Sequence, residues 1–192
     1  MHESQLSPSA RNAFKLIEFD EDERLVYEIR KHWFGLFLIY FIGTFITFSL
    51  LGTSLAAAAF LKDNPSEGVA FGQLRPAVIA LTIILSLLSL VMTAIAAFLY
   101  KSNVILVTSE KIAQVLYVSI FDRKLSQLSI GDLQDVTVRK QGIFAHLLNF
   151  GTLVVETAGE QSNFAFAFAP EPYKAAEAMV NAHEENLKHY GN

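Results

Sequence analysis

Asp132 and Asp135 stand three residues apart, a spacing at which paired carboxylates can share general acid and base work. Their neighbours point elsewhere. Asp132 follows Gly131 in a turn pattern, where a short carboxylate bonds local backbone, and Asp135 opens a strand pattern. His146 is the one histidine inside the compact apolar region, and its setting predicts a partly buried structural ring. His183 and His189 sit with Glu184 and Glu185 on a closing helical stretch. A solvated face accounts for them, and no convergent ligand set marks a metal site. The chain contains no Gly-x-Ser-x-Gly elbow, His-Glu-x-x-His pair or Walker-type loop, so no catalytic residue is predicted. Zero cysteines exclude disulfides, thiolate metal sites and a Cys nucleophile. Neither a cofactor nor a small-molecule substrate is expected.

The basic candidates are Lys101, Lys111, Arg123, Lys124, Arg139 and Lys140. Cations near an anionic leaflet contribute about 1 kcal/mol each, so a few of them suffice to orient a tethered domain on lipid headgroups. The opposing reading makes Arg123-Lys124 and Arg139-Lys140 ordinary solvated turn and strand-end residues. Residues 101–192 carry eight basic and ten acidic side chains. The whole chain has net charge −4, which gives no footprint for nucleic acid. The acidic stretch Glu18 to Glu23 has no functional reading at this level.

The elements that must position these groups begin with two uncharged runs. Trp33 to Leu61 holds 29 residues without Asp, Glu, Lys, Arg or His, and Pro76 to Tyr100 holds 25. A hydrocarbon core ~30 Å thick is crossed by about 20 helical residues, so both runs predict transmembrane helices, at 33–61 and 76–100. The chain is 52 % hydrophobic yet only 18 % charged, below the ~25 % charge of soluble domains. Residues 1–32 show no apolar signal-peptide core, and they read as a cytoplasmic arm. Arg24, Arg30, Lys31, Lys101 and Lys111 flank the hairpin, against Lys62 and Arg75 in the loop 62–75. That bias predicts both termini in the cytoplasm, the loop outside, and Trp33 and Tyr100 at the same inner interface.

Helices in lipid associate over small side chains. Ser49, Gly52, Thr53, Ala56 and Ala57 form such a stripe on the first run, and Thr82, Ser86, Ser89, Thr93 and Ala97 form one on the second. An antiparallel pair packed on these stripes is expected. Neither run contains an ionisable group, which argues against transport by this chain alone. The loop contains Asn64-Pro65-Ser66 and carries no evident chemistry.

Beyond Lys101 the periodicity falls to two. Strands are predicted at Val104–Val107, Ile112–Val118, Leu125–Ile130 and Asp135–Lys140, with two more around Leu153–Thr157 and Phe164–Phe168. Ile143–Asn149 reads as a helical turn or two. Phe164, Phe166 and Phe168 should line a core, leaving Ala165, Ala167 and Ala169 as a flat outer face able to accept a partner helix or strand. Pro170-Glu-Pro172 starts a final helix, with Tyr173, Ala176, Val180 and Leu187 sharing a stripe. The fold class is α+β: a two-helix transmembrane hairpin followed by a small antiparallel β-barrel with pleckstrin-homology order, residues 101–187, capped by a C-terminal helix. Residues 188–192 are a tail.

Leu133-Gln-Asp-Val136, Gln141-Gly142, Leu147-Leu-Asn-Phe-Gly-Thr-Leu153 and Val155-Glu-Thr-Ala-Gly159 together resemble the bacterial membrane-flanked pleckstrin-homology-like family. The turn Thr108-Ser-Glu-Lys-Ile112 and the Arg30-Lys-His-Trp33 lead-in, preceded by Glu23-Arg-Leu-Val-Tyr27, extend the resemblance over roughly residues 20–185. It implies two spans followed by a cytoplasmic barrel in a bacterial inner membrane, without a known catalytic site. The expected task is non-enzymatic: a scaffold or interaction module whose partners are the bilayer and other membrane proteins or copies of itself. The alternative is a sensor of anionic lipid headgroups. A membrane enzyme would need polar groups at the interface, where only His32, Tyr100 and Lys101 lie.

Overall fold

The computed structural model describes residues 6–7, 10–11, 14–20, 22–63, 69–157 and 164–190; for 61–63, 69–74 and 190 the description is of the backbone. Two compact units emerge, one comprising 1–36 with 99–192 and the other 37–98.

In the first unit, β1 (Leu25–Arg30) precedes the apolar helices, and β2 (Val104–Thr108), β3 (Lys111–Tyr117) and β4 (Arg123–Ser129) follow them. These strands form an antiparallel sheet in the order β1-β2-β3-β4. A 3-10 turn, Ile130–Asp132, leads into β5 (Leu133–Arg139). The short helix α3 (Ile143–Leu147) then precedes β6 (Phe150–Thr157) and β7 (Phe164–Pro170), which form a second sheet in the order β5-β6-β7. The last helix, α4, is Pro172–Tyr190.

The arm expected at 1–32 is part of this unit. β1 pairs with β2 from Leu25↔Thr108 to Arg30↔Val104. Leu6, Ala10 and Ile17 pack on the outward side chains of Val104, Leu106 and Val115. This explains why β2 is apolar from Val104 to Val107: it is buried on both faces. The barrel expected from the sequence is not closed. Among the described residues no ladder joins β4 to β5 or β1 to β7; the turn at Ile130–Asp132 ends one sheet and begins the other. The two residues after β1 meet β7 through single bonds instead, His32 N–H to the Phe168 carbonyl at 2.6 Å and Lys31 Nζ to the Ala167 carbonyl at 2.6 Å. The core between the sheets is built from Ile29, Ile105, Ile112, Leu153 and Phe166, with Met179 of α4 closing it.

Two side-chain patterns shift from expectation. The buried stripe of α4 is Ala175, Met179 and Ala182, while Tyr173, Val180 and Leu187 are exposed. Small residues let the helix axis approach the sheet closely, which bulky Tyr and Leu would prevent. In β7 the alternation holds for Phe164 and Phe166, then breaks at Phe168, whose φ of 56° is left-handed. The break buries Ala169 and leaves Phe168 half-buried. Ala169 therefore leaves the outer face.

The second unit is the apolar pair itself, α1 (Trp33–Asp63) and α2 (Val69–Ser102), apart from their ends at 33–36 and 99–102. Both helices run further than the uncharged runs, so the described parts of the loop 62–75 are helical and its centre, 64–68, lies outside the described residues. Pro76 is accommodated inside α2. The stripe on α2 packs as expected: Ser86 and Ala97 are buried, and Thr82, Ser89 and Thr93 half-buried. The stripe on α1 does not. Ser49, Gly52, Thr53 and Ala56 are exposed and Ala57 is half-buried, and Thr53 Oγ1 donates to its own helix at Leu50, 2.9 Å away. The packed face is Gly43, Thr47 and Ser54, centred about 130° round the helix from that stripe at ~100° per residue. Thr47 Oγ1 reaches Ser89 Oγ at 3.2 Å, and Thr82 Oγ1 reaches Ser54 Oγ at 2.8 Å. Hydroxyl pairing chose the face, where small size alone had pointed to the other.

Candidate functional site

Strand direction sorts the charges of the first unit into two ends. β1, β3, β5 and β7 run toward the point where the chain leaves for α1 and returns from α2. Arg30 pairs with Val104, Tyr117 with Arg123, and Arg139 with Thr152, so Arg30, Arg123, Lys124, Arg139 and Lys140 share this end with Lys31 and Lys101. Its described carboxylates are Asp122 in the β3–β4 tip, Glu171, which is ion-paired to Lys174, and Glu28, whose Oε1 lies 3.4 Å from Arg30 Nε.

The opposite end collects acid. The turn at Ser109-Glu110 receives Arg24 N–H on Ser109 Oγ at 3.1 Å and Asn186 Nδ2 on the Ser109 carbonyl at 3.0 Å. Asp20, Glu23 and Glu110 bring their carboxylates within 4.8 Å of one another there. Partial burial first, then a hydrogen bond with Asp20 and the charges of Glu23 and Asp20, hold the Glu110 carboxyl above its ordinary range. A cavity of about 300 Å³ lies at this end, bordered by Asp22, Arg24, Glu110 and Glu185.

Of the six basic candidates, five lie at the first end and Lys111 lies at the second. Lys111 Nζ is 3.2 Å from Glu23 Oε2, donates to the Glu18 carbonyl at 2.6 Å and sits over the Phe19 ring. It is a structural counter-ion, so it contributes nothing to a headgroup site at the other end. Glu23 is only 1 % exposed and also accepts from Thr108 Oγ1 and from the Asp20 backbone N–H. This gives part of the acidic stretch a role: Glu23 fastens the N-terminal segment to the β2–β3 turn. Glu21 lies outside the described residues.

A cleft of about 390 Å³ occupies the basic end, lined by Arg30, Lys31, His32, Trp33, Tyr100 and Lys101 among others. Tyr100 Oη donates to the His32 carbonyl at 2.7 Å, which ties the end of α2 to the residue before Trp33. Lys31 lies over the Phe166 ring at 4.0 Å. Burial pushes its ammonium down to about 8, from 10.5. Burial likewise lowers His32, opposed by a hydrogen bond with the Leu148 backbone. Lys31 carries a testable consequence. The folded chain releases this proton near pH 8 and the unfolded chain near 10.5. Unfolding therefore takes up a proton between those values, and stability rises with pH across that window. Below pH 8 both states are protonated and the increment is absent. Thermal unfolding of the full chain in detergent from pH 7 to 10 should show this rise, and Lys31→Met should flatten it.

The remaining candidates separate clearly. Asp135 accepts from Thr137 Oγ1 at 3.0 Å on an exposed strand face, and Asp132 stands in the 3-10 turn; nothing joins them as an acid–base pair. His146 is exposed, against the expectation of a partly buried ring, because α3 turns only Ala145 inward. His183, expected on a solvated face, is half-buried with Nδ1 2.6 Å from the Ile130 carbonyl, locking α4 to the 3-10 turn. Ala165 and Ala167 are exposed. Their carbonyls are already taken, by Gln114 Nε2 at 3.4 Å and Lys31 Nζ at 2.6 Å, so an added strand would have to displace both bonds.

Sequence reasoning missed Arg30 and Lys31 as part of the basic group, having used them only for orientation. The signal was present in the Arg30-Lys-His-Trp33 cluster itself. It also missed the polarity, because a net charge conceals how the signs are distributed.

Residues 37–181 match the family model described as a bacterial PH domain. A crystal structure of a DUF1696 family protein with a pleckstrin-homology domain, from Shewanella loihica PV-4, is similar at 8 % identity and a TM-score of 0.35, over 42 % of this chain and 70 % of that one. No curated protein matches the chain.

Proposed function

Because the chain belongs to the bacterial PH domain family, we propose that it is a non-enzymatic interaction module, moored in a bacterial inner membrane by α1 and α2, with its PH-like unit on the cytoplasmic side. One observation carries this reading. β1 precedes the two apolar helices, β2 follows them, and the two strands pair. The sheet can form only if both flanks of the hairpin end on one side of the bilayer, as two crossings require. Each helix offers a 28-residue stretch long and apolar enough to cross a membrane by length and composition, about 42 Å at 1.5 Å per residue against a core of ~30 Å. The bias of basic residues toward the flanks favours the cytoplasmic side. Tethering is the mechanism: a domain confined to a membrane meets other membrane-bound partners, or copies of itself, at effective concentrations of roughly millimolar. Weak surfaces such as the one bearing Ala165 and Ala167 then suffice.

The segregation of Lys31, Lys101, Arg123, Lys124, Arg139 and Lys140 to one end favours a second reading, recognition of anionic headgroups.

Two measurements test the mooring and the task. The full-length chain should stay in the membrane pellet after alkaline carbonate extraction; release into the aqueous fraction would overturn the reading. Photo-crosslinkers at Ala165 and Ala167 in intact cells should capture a membrane protein or a second copy, and return of lipid adducts alone would remove the scaffold role.

A further inference from the structure

The β3–β4 tip carries the most exposed large apolar side chain described. Phe121 is 98 % exposed, and Val118 and Ile120 beside it are also open to solvent. Water-facing hairpin tips are normally built from Gly, Asn, Asp and Pro; this one reads Val118-Ser-Ile-Phe-Asp122. The exposure comes from an ordered turn. Val118 and Ser119 both donate N–H to the Asp122 carbonyl at 3.0 Å, and Ser119 Oγ accepts from Phe121 and Asp122 at 3.2 and 3.0 Å. Arg123 and Lys124 follow at once.

A second apolar projection stands on the same end. In α3, Ile143 is 83 % and Leu147 75 % exposed, and Phe144 is open although its ring stacks on Phe34 with centroids 5.4 Å apart. Arg139 and Lys140 precede it. Both projections are fixed to the points where the chain departs and returns. Asn103 Oδ1, next to the end of α2, accepts the Tyr117 N–H at 2.6 Å, so the tip starts one residue beyond that bond. α3 is held through Phe34, which also stacks on Phe150 at 5.4 Å.

We propose that this end of the unit is a membrane-inserting face: Val118, Ile120 and Phe121 at the tip, and Ile143 and Leu147 on α3, dip into the interfacial layer of the leaflet, while Lys101, Arg123, Lys124 and Lys140 meet its anionic headgroups. The inference rests on the reading of α1 and α2 as membrane spans, and it assigns the domain an orientation and a lipid class. Covalent attachment on both sides of the hairpin holds this end at the bilayer surface, so lipid is the occupant always within reach. Charge agrees, since basic groups ring the apolar projections and the carboxylate cluster lies at the far end. Apolar anchors flanked by cations, with Trp33 and Tyr100 alongside, match the chemistry of an interfacial layer.

The chain contains no cysteine, so single nitroxide labels are clean. The full-length protein carrying Phe121→Cys, Leu147→Cys, Glu185→Cys or Leu88→Cys would be placed in nanodiscs of phosphatidylcholine with about 30 % phosphatidylglycerol. Accessibility to oxygen and to an aqueous nickel chelate is then read at each label. The labels at 121 and 147 should be protected from nickel roughly fivefold relative to the label at 185, and oxygen-accessible, as lipid-exposed sites are. Arg123→Glu with Lys124→Glu should return the label at 121 to water without moving the label at 88. Nickel exposure at 121 equal to that at 185, with the label at 88 still protected, would overturn the inference and leave the mooring intact. Nickel exposure at 88 would overturn the mooring itself. Protection at 121 from both nickel and oxygen would mean a protein covers the tip, and would also overturn the inference.

Discussion

Glu23→Ala is expected to cost the first unit about 3 kcal/mol, a fall in melting temperature on the order of 10 °C. The carboxylate is buried against Lys111, Thr108 Oγ1 and the Asp20 backbone, so its loss takes the counter-charge from a partly buried ammonium left with only the Glu18 carbonyl, and takes the acceptor from the Asp20 amide. Lys111→Met should cost a similar amount for the converse reason, since it strands a buried anion. The double substitution Glu23→Met with Lys111→Met should cost clearly less than the sum, with a coupling of at least about 1 kcal/mol. Thermal unfolding of the full chain in detergent, read on near-UV signals of the unit, measures all three. Single costs below ~0.5 kcal/mol, the range of surface substitutions, would refute the role assigned to Glu23.

The second large effect belongs to the helix pair. Any Cβ at Gly43 would stand 2.1 Å from Thr93 Oγ1 and 2.6 Å from its Cγ2. Thr93 cannot easily turn aside, because Oγ1 donates to the Ser89 carbonyl at 2.7 Å. Gly43→Ile must therefore push the helices apart, break the neighbouring Thr47–Ser89 contact and cost about 2–3 kcal/mol. Gly52→Ile is the control. Nothing lies within 4 Å of a Cβ there, and a better helix former replaces glycine, so the change should be within about 0.5 kcal/mol of neutral. Resistance of the pair to denaturing detergent, compared across the two variants and the rescue Gly43→Ala with Thr93→Gly, separates them. Equal loss in both would refute the assigned face.

Much of the fold was legible in the residues. The two long apolar helices announced themselves by length and absence of charge. The strands from Val104 to Phe168 followed from period-two alternation, and the closing helix from Pro170-Glu-Pro172. β1 escaped because Leu25–Arg30 is a short stretch whose partner lies beyond both helices, and no local pattern reveals a partner that distant. The packed face of α1 was misjudged because small side chains on α1 outnumber those that interlock; only the hydroxyls at Thr47 and Ser54 find partners on α2. Phe168 defeated alternation through one left-handed residue. At the candidate site, the individual cations could be named from the sequence, but their gathering at one end depends on strand direction and register. Lys111 shows the converse: it looked equivalent to the others until its bond to Glu23 was visible.

The interrupted pairing of β1 with β2 has a consequence for how the chain is made. Arg30 emerges from the ribosome long before Val104, and the stretch from Lys31 to Asn103, synthesised at roughly 5–20 residues per second, occupies several seconds. Throughout that interval the first strand lacks β2, the strand it pairs with. Completion of the sheet thus waits on synthesis of both helices. On the proposed mooring, a polypeptide whose second helix failed to cross would leave β1 and β2 on opposite sides of the bilayer, each without the strand it pairs with.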